Sequence, residues 1–271
     1  MNAFLFRLRR FSKNAISQDD IIASQPIFHD PKQDHNGIGI LCLHGFSSTP
    51  ANFYEYACSF IQQGYTVSIP LLPGHGDKPD ALLNVKWTQW LDCALQNYDL
   101  IRKKCDKVFV VGLSLGALLA IQLATRRKDI EKLFLLSPAI EPIFLFKMGK
   151  YFLLPLFRIL RINYWFNIGG DIKDTTQYEV GYKKIPINAF NEVWKCMQDT
   201  RFSLPLVKTD IMVFQPRIDH TTNPNGGKVI IDNVKSINKK LIYLDNTYHV
   251  ISKDFDSKNV LDTILAEIDN K

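Results

Sequence analysis

The sequence predicts an α/β domain, a mostly parallel central sheet with helices on both faces. Three observations lead there. Short continuous apolar runs alternate with longer stretches of helical spacing, the pattern of strands buried on both sides. One such run passes straight into a strong helix former through a G-x-S-x-G turn, V-F-V-V-G-L-S-L-G-A-L-L-A from Val108 to Ala120. The alternation is interrupted once, by a dense apolar and basic stretch, and then resumes, which places an inserted cap inside the sheet domain. With 271 residues, 46% of them hydrophobic, the chain can form one large core and carry such an insertion.

Taken in order, residues 1–13 hold Phe4, Leu5, Leu8 and Phe11 on one side of a helical wheel and Arg7, Arg9, Arg10 and Lys13 on the other, with Phe6 breaking the pattern. One reading is a weak interfacial anchor; the plainer and preferred one is a helix or arm packed on the body, or a frayed end. No apolar h-region follows the cations, so this is not a secretory signal. Residues 24–37 are polar and turn-rich. Ile38 to Leu43 reads as a buried strand, and Thr49 with Pro50 as the N-cap and first residue of a helix that runs to Gly64. Thr66 to Ile69 is a short strand. Leu72 to Asp77 is a loop. Trp87, Trp90, Leu91, Ala94, Leu95, Tyr98 and Ile101 mark a long amphipathic helix before the strand at Val108. Leu133 to Leu136 is the next strand.

Residues 139–205 break the rhythm. Nine Phe, Tyr and Leu residues crowd between 144 and 157, but Lys147, Lys150, Arg158 and Arg161 interrupt them and Pro155 would kink any helix, so the stretch does not span a membrane. On a wheel the four cations fall within about 80°. The pattern is that of a lid, or of an ordinary insertion helix with a basic stripe facing water. Strands resume at Ile211 to Phe214 and Leu241 to Leu244, with turn chemistry at Asn223 to Gly227 and a helix expected over residues 228–238. Val260, Ile264, Leu265 and Ile268 form a closing helix. The expected organisation is an arm over 1–36, a core over 37–138 and 206–271, and a cap over 139–205.

The net charge of +6 is concentrated: residues 1–13 carry +4, residues 140–161 carry +3, and the remainder is close to neutral at −1. That excludes a nucleic-acid surface spread over the domain. The five cysteines are scattered without a C-x-x-C, which points to free thiols in a reducing compartment and not to a disulfide framework or a zinc site. The expected location is cytoplasmic, with peripheral membrane contact through residues 1–13 or the cap as the open alternative.

A serine hydroxyl needs presentation to a general base. A sharp strand-to-helix turn exposes Ser114, glycine on either side avoids a collision of Cβ with backbone, and the Leu115 amide at the helix N-terminus points where an oxyanion would form. The base should lie in a loop at the same sheet edge. His44, His220 and His249 qualify; His44 directly precedes a helix, where it would shape a turn. Asp219, after the second-last strand, can reach the same edge as His249, whereas Asp210 starts that strand at the wrong end and Asp245 is too near His249.

Five pieces come in one order: Leu41-Cys-Leu-His-Gly-Phe46, Pro73-Gly-His-Gly76, Gly112-Leu-Ser-Leu-Gly116, Gln215-Pro-Arg-Ile-Asp219 with Asn223-Pro224, and His249-Val-Ile251. By these the chain resembles, from about Ile38 to its C-terminus, the α/β-hydrolase superfamily, most of all the small bacterial carboxylesterases and monoacylglycerol lipases with a short cap. The resemblance implies the chain order serine, acid, histidine, which selects His249, and so a triad of Ser114, Asp219 and His249 with the Phe46 and Leu115 amides as oxyanion hole. It implies hydrolysis of carboxylic esters or monoacylglycerols through an acyl-enzyme, without metal or cofactor. The chain departs from the family pattern at Ala117 and Tyr248, where glycine is common, and at His220, whose ring would bring a charge contact to the acid. The expected substrate is a small apolar ester. A thioester cleaved by the same triad is the near alternative, and a non-catalytic lipid- or membrane-surface binder on a hydrolase scaffold is the alternative from another class. The sequence leaves the oligomeric state open.

Overall fold

Seven strands form the central sheet of the computed structural model, which describes residues 9–10, 22–31, 36–142, 164–166 and 170–270. Their order follows from the chain path. β1 (Arg9–Arg10) lies apart from the sheet. β2 (Ile27–His29), β3 (Ile38–Leu43), β4 (Thr66–Ile69), β5 (Lys107–Leu113), β6 (Lys132–Leu136), β10 (Asp210–Pro216) and β11 (Lys239–Leu244) lie side by side as β11-β10-β6-β5-β3-β4-β2. All neighbours are parallel except β2, which runs antiparallel to β4 at the edge. The sequence reading missed β2, because three residues with Phe28 half exposed carry no periodic signal.

Alternation across the strands explains their continuous apolar character. Leu41, Leu43, Val108, Val110, Leu133, Leu135, Ile211 and Val213 point to one face, where α2 (Trp87–Arg102), α3 (Leu115–Arg126), α4 (Ile187–Ser203) and α5 (Gly226–Asn233) pack. Ile40, Cys42, Phe109, Val111, Phe134, Leu136, Met212 and Phe214 point to the other, under α1 (Tyr54–Gln62) and α6 (Ser257–Asp269). A strand covered on both sides needs apolar residues at every position.

Two local expectations change. Thr49 is not a side-chain cap: its hydroxyl lies 3.2 Å from Ser24 Oγ and 3.3 Å from the Val180 carbonyl, and Pro50–Phe53 forms a single 3₁₀ turn before α1. The helix expected over 228–238 spans Gly226–Asn233 instead. It starts early because the Gly227 amide donates to Gln215 Oε1 at 3.0 Å, and it stops early because the Lys235 amide goes to the Val207 carbonyl at 2.8 Å.

Between β6 and β10 the described residues include two small pairings. β7 (Tyr164–Phe166) runs antiparallel to β9 (Lys184–Pro186), and β8 (Val180–Gly181) pairs with β1. Arg9 and Arg10 are thus extended, not helical; the rest of the amphipathic pattern over residues 1–13 lies outside the described residues, as do the apolar crowd and the four cations between 143 and 161. Among the described residues, no helix is long and apolar enough to cross a membrane, and all five cysteines are free.

Candidate active site

The chain reverses its direction of travel across the sheet at β3 and β5, which are hydrogen-bonded neighbours with Leu43 opposite Gly112. A crevice at the C-terminal ends of such strands is where open α/β sheets bind ligands. The turn after β5 consists of Ser114 alone, at φ 55° and ψ −110°, before α3 begins at Leu115. A left-handed φ in a non-glycine residue costs about 1–3 kcal/mol and persists only where its surroundings enforce it. Here the Ser114 amide donates to the Leu136 carbonyl at 2.9 Å, while the Ser114 carbonyl accepts from Ala117 and Ala139 at 3.1 and 3.3 Å. The flanking glycines are steric necessities. A Cβ on Gly116 would lie 1.9 Å from the Leu43 carbonyl oxygen, and one on Gly112 would lie 2.5 Å from that of Gly116 and 2.7 Å from Ala117 Cα. The helix therefore packs against β5 and β3 at backbone contact, with Ala117 in that tight junction, and Ser114 is left half-buried at the sheet edge.

Beside it rises the loop after β3. His44 is fully buried: its Nδ1–H donates to the Gly45 carbonyl at 2.9 Å and its Nε2 accepts from the Leu72 amide at 3.1 Å. Burial, then the neighbouring His75, push its pKa down to about 3. Both nitrogens are engaged, so His44 shapes the loop and is no base. Gly45 lies against the serine, where an added Cβ would sit 3.6 Å from Ser114 Cβ. The backbone amides of Phe46 and Leu115 donate to no acceptor among the described residues. The Phe46 ring stands among Trp90, Phe190 and His75, with centroids 5.8, 5.8 and 6.0 Å away.

His249 and Asp219 reach the same edge from the loops after β11 and β10. Asp219 Oδ1 accepts from the amides of Thr221 and Thr222 at 2.9 and 2.7 Å. Its Oδ2 accepts from Thr222 Oγ1 at 2.9 Å and from His249 Nδ1 at 2.8 Å. A carboxylate only accepts, so Nδ1 carries the imidazole proton and Nε2 is left to accept the Ser114 hydroxyl, 2.9 Å away. Burial alone would push the His249 pKa below its ordinary value, but the charge and hydrogen bond of Asp219, followed by the charges of Asp171 and Glu179, raise it above. Burial would likewise raise Asp219, yet His249 and the two threonine amides hold it below the usual carboxylate range. The structure thus brings Ser114, His249 and Asp219 into one hydrogen-bonded line. It does not join His220 to Asp219: the His220 ring pairs with Asp171 at 2.8 Å and meets the edge of Tyr248 at 4.7 Å.

Sequence reasoning missed residues 170–182, which touch the loops after β3, β4, β10 and β11 at this edge. Asp171 bonds to the loop of Asp219 through its side chain and to Val250 through its carbonyl. Glu179, buried, accepts from Asn52 and from the Gly170 amide, both at 3.0 Å. The Tyr182 amide donates to the Ser47 carbonyl, and its hydroxyl bridges Gly74 and Asp77 at 2.9 and 3.0 Å. Asp254 accepts from the amides of Lys173, Asp174 and Tyr248 at 2.8, 3.0 and 2.8 Å. The acids inside a polar stretch with no periodicity carry no local signal of these partners.

A family model described as serine aminopeptidase, S33 (Hydrolase_4), matches residues 35–256, most of the chain. The chain belongs to this family. It has the α/β-hydrolase fold and is an enzyme of the esterase and lipase type. A thermostable monoacylglycerol lipase of Bacillus sp. (strain H-257) is 28% identical over 238 residues, covering 87% of this chain and 92% of that protein. A carboxylesterase of Bacillus subtilis (strain 168) is 23% identical over 216 residues, 79% of this chain and 85% of that one. The structure solved for the metagenome-derived lipolytic enzymes LipS and LipT superposes with a TM-score of 0.84 at 26% identity, over 92% of this α/β-hydrolase and 98% of that chain. The monoacylglycerol lipase of Paleococcus ferrophilus shares the fold, with a TM-score of 0.65 at 19% identity over 84% and 92% of the two chains.

Proposed function

We propose that this hydrolase cleaves small apolar carboxylic esters, including monoacylglycerols, with Ser114 as nucleophile, His249 as general base and acid, and Asp219 as the group that orients the imidazole. The observation that carries the reading is the line Ser114 Oγ to His249 Nε2 at 2.9 Å and His249 Nδ1 to Asp219 Oδ2 at 2.8 Å. In acylation Ser114 Oγ bonds to the carbonyl carbon while its proton passes to His249 Nε2. The carbonyl π electrons move onto oxygen, where the amides of Phe46 and Leu115 stabilise the charge. Collapse breaks the bond to the alcohol oxygen, which takes the proton from His249. A water, deprotonated by the same nitrogen, then bonds to the acyl carbon; the bond from that carbon to Ser114 Oγ breaks, Oγ takes the proton back from His249, and the acid leaves.

The apolar substrate class is supported by the aromatic setting of Phe46, and by the monoacylglycerol lipase and lipolytic enzyme among the relatives. Residues 139–205 serve as the cap in this reading, with 170–182 as its seat on the loops around Ser114. The test is a serine-directed fluorophosphonate and a series of aryl esters and thioesters of rising acyl length. One adduct per chain on Ser114 and the loss of hydrolysis in Ser114→Ala support the reading; undiminished hydrolysis by Ser114→Ala refutes it.

A further inference from the structure

Asp171 hydrogen-bonds directly to the neighbours in sequence of both Asp219 and His249. Its Oδ2 accepts from the His220 amide at 2.9 Å and lies 3.3 Å from Thr221 Oγ1, and its Oδ1 meets His220 Nδ1 at 2.8 Å. These are the two residues that follow Asp219. Its carbonyl accepts from the Val250 amide at 3.1 Å, the residue that follows His249. We propose that Asp171 is a positioning residue, which clamps the acid loop to the histidine loop and presents a second negative charge to the imidazolium that forms during turnover. The proposal rests on the triad reading above.

Three features make the clamp rigid. The Asp171 side chain is itself only 14% exposed, although that of its partner His220 is 59% exposed. The next turn of chain is tied down independently, since the amides of Lys173 and Asp174 end on Asp254, whose Oδ2 also accepts from the amide of Tyr248. The ring of His220 then rests edge-on against Tyr248, so the two loops also meet directly. Without the Asp171 carboxylate, the residues after Asp219 lose three bonds, and the loops are left with the bond between Asp219 and His249, that ring contact, and the bonds of Arg217 to Asp245 and to the Leu244 carbonyl at the loop bases. A displacement of about 1 Å at such a site costs about 100-fold in rate.

The charged groups around this carboxylate come from every element that packs there. His220 and Asp219 lie on the loop after β10, His249 and Asp254 on the segment after β11, and Lys173 and Glu179 within residues 170–182 themselves. Lys173 is turned away to Asn246 at 2.8 Å, and Asp254 is occupied by backbone amides. Asp171 and Glu179 therefore add to Asp219 in favouring a protonated His249.

The experiment compares Asp171→Ala, Asp171→Asn and Ser114→Ala with the wild-type chain, reading kcat, KM, the pH profile of kcat/KM on a short aryl ester, and Tm. Asp171→Ala is expected to lose about 10- to 100-fold in kcat with KM nearly unchanged. Asp171→Asn keeps an acceptor for the His220 amide and so recovers most of kcat, but its acid limb moves to lower pH, because removing a negative charge favours neutral His249. If Asp171→Ala does not fold, the limb of Asp171→Asn decides: displaced to lower pH it supports the proposal, unmoved it overturns it. Wild-type kcat and limb in both variants, or a fall in Tm alone, also overturn it. An inactive Ser114→Ala beside unaffected Asp171 variants sinks the clamp and leaves the triad standing. An active Ser114→Ala sinks both.

Discussion

Replacing Asp219 by Asn isolates the tautomer of His249 from the architecture around it. In the native site Oδ1 accepts two backbone amides, from Thr221 and Thr222, and Oδ2 accepts Thr222 Oγ1 and His249 Nδ1. The asparagine oxygen must take the Oδ1 position, since an NH₂ group there would face two donors. Its NH₂ then occupies the Oδ2 position and faces the proton on His249 Nδ1. The clash resolves when the imidazole carries its proton on Nε2 instead, accepts from the asparagine through Nδ1, and offers Ser114 a donor where a base is required. The loop keeps both amide bonds, so the protein should fold. The rate should not survive: the wrong tautomer is worth about 10⁴ in kcat, or about 5.5 kcal/mol in activation free energy. Steady-state hydrolysis of a short-chain aryl ester, with circular dichroism and a thermal melt on the same samples, measures both sides. The expected result is a folded protein with KM within a few-fold of wild type and kcat lower by three to five orders of magnitude, on the order of the figure above. A folded Asp219→Asn within tenfold of wild-type kcat would refute the argument.

Other outcomes follow. His249 must be neutral to accept the serine proton, and its pKa is raised, so kcat/KM should climb with pH through a midpoint above the ordinary histidine value; a midpoint at or below about 6.5 contradicts the charge arrangement. The same shift makes this imidazolium's contribution to folding full below pH of about 6.5 and lost as pH rises through the folded value, whereas the lowered Asp219 contributes above about 3.9 and loses its contribution on acidification. Gly116→Ala would drive a Cβ to 1.9 Å from the Leu43 carbonyl oxygen, where only backbone can yield, so a loss of at least about 1–3 kcal/mol in a denaturant titration and near-complete loss of activity are expected. Gly45→Ala, at an ordinary 3.6 Å from Ser114 Cβ, should be milder in the same titration. Phe46→Ala keeps the backbone donor, so it should alter the preference among acyl lengths by more than it alters the rate on the shortest ester, and equal loss on all of them would argue against Phe46 as part of the acyl pocket.

Much of the sheet is readable because its strands are local signals. Val108–Val111 and Leu133–Leu136 are continuous apolar runs, and the structure buries every one of those residues, even residues toward one helical layer and odd ones toward the other at Val108 to Val111. The elbow is readable for the same reason, since the collisions that demand Gly112 and Gly116 arise within a few residues or against one neighbouring strand. Helix ends are less readable. The amide of Lys235 belongs to the Val207 carbonyl, 28 residues earlier, and nothing in V-K-S-I announces it.

By itself the sequence determined the α/β pattern, the glycine-flanked serine, and a short list of histidines and aspartates in loops after strands. These depend on periodicity, on backbone sterics and on the order of the chain. Tertiary structure alone decided which groups meet. It took His44 out of contention by engaging both of its nitrogens, and gave His220 to Asp171 instead of Asp219. It also brought residues 170–182 against the loops after β3, β10 and β11. The physical reason is distance along the chain. Ser114 and His249 are 135 residues apart, and Thr49 and Val180 are 131 apart. A hydrogen bond over such a separation is specified by how the strands order themselves, and no local stretch of residues encodes that order.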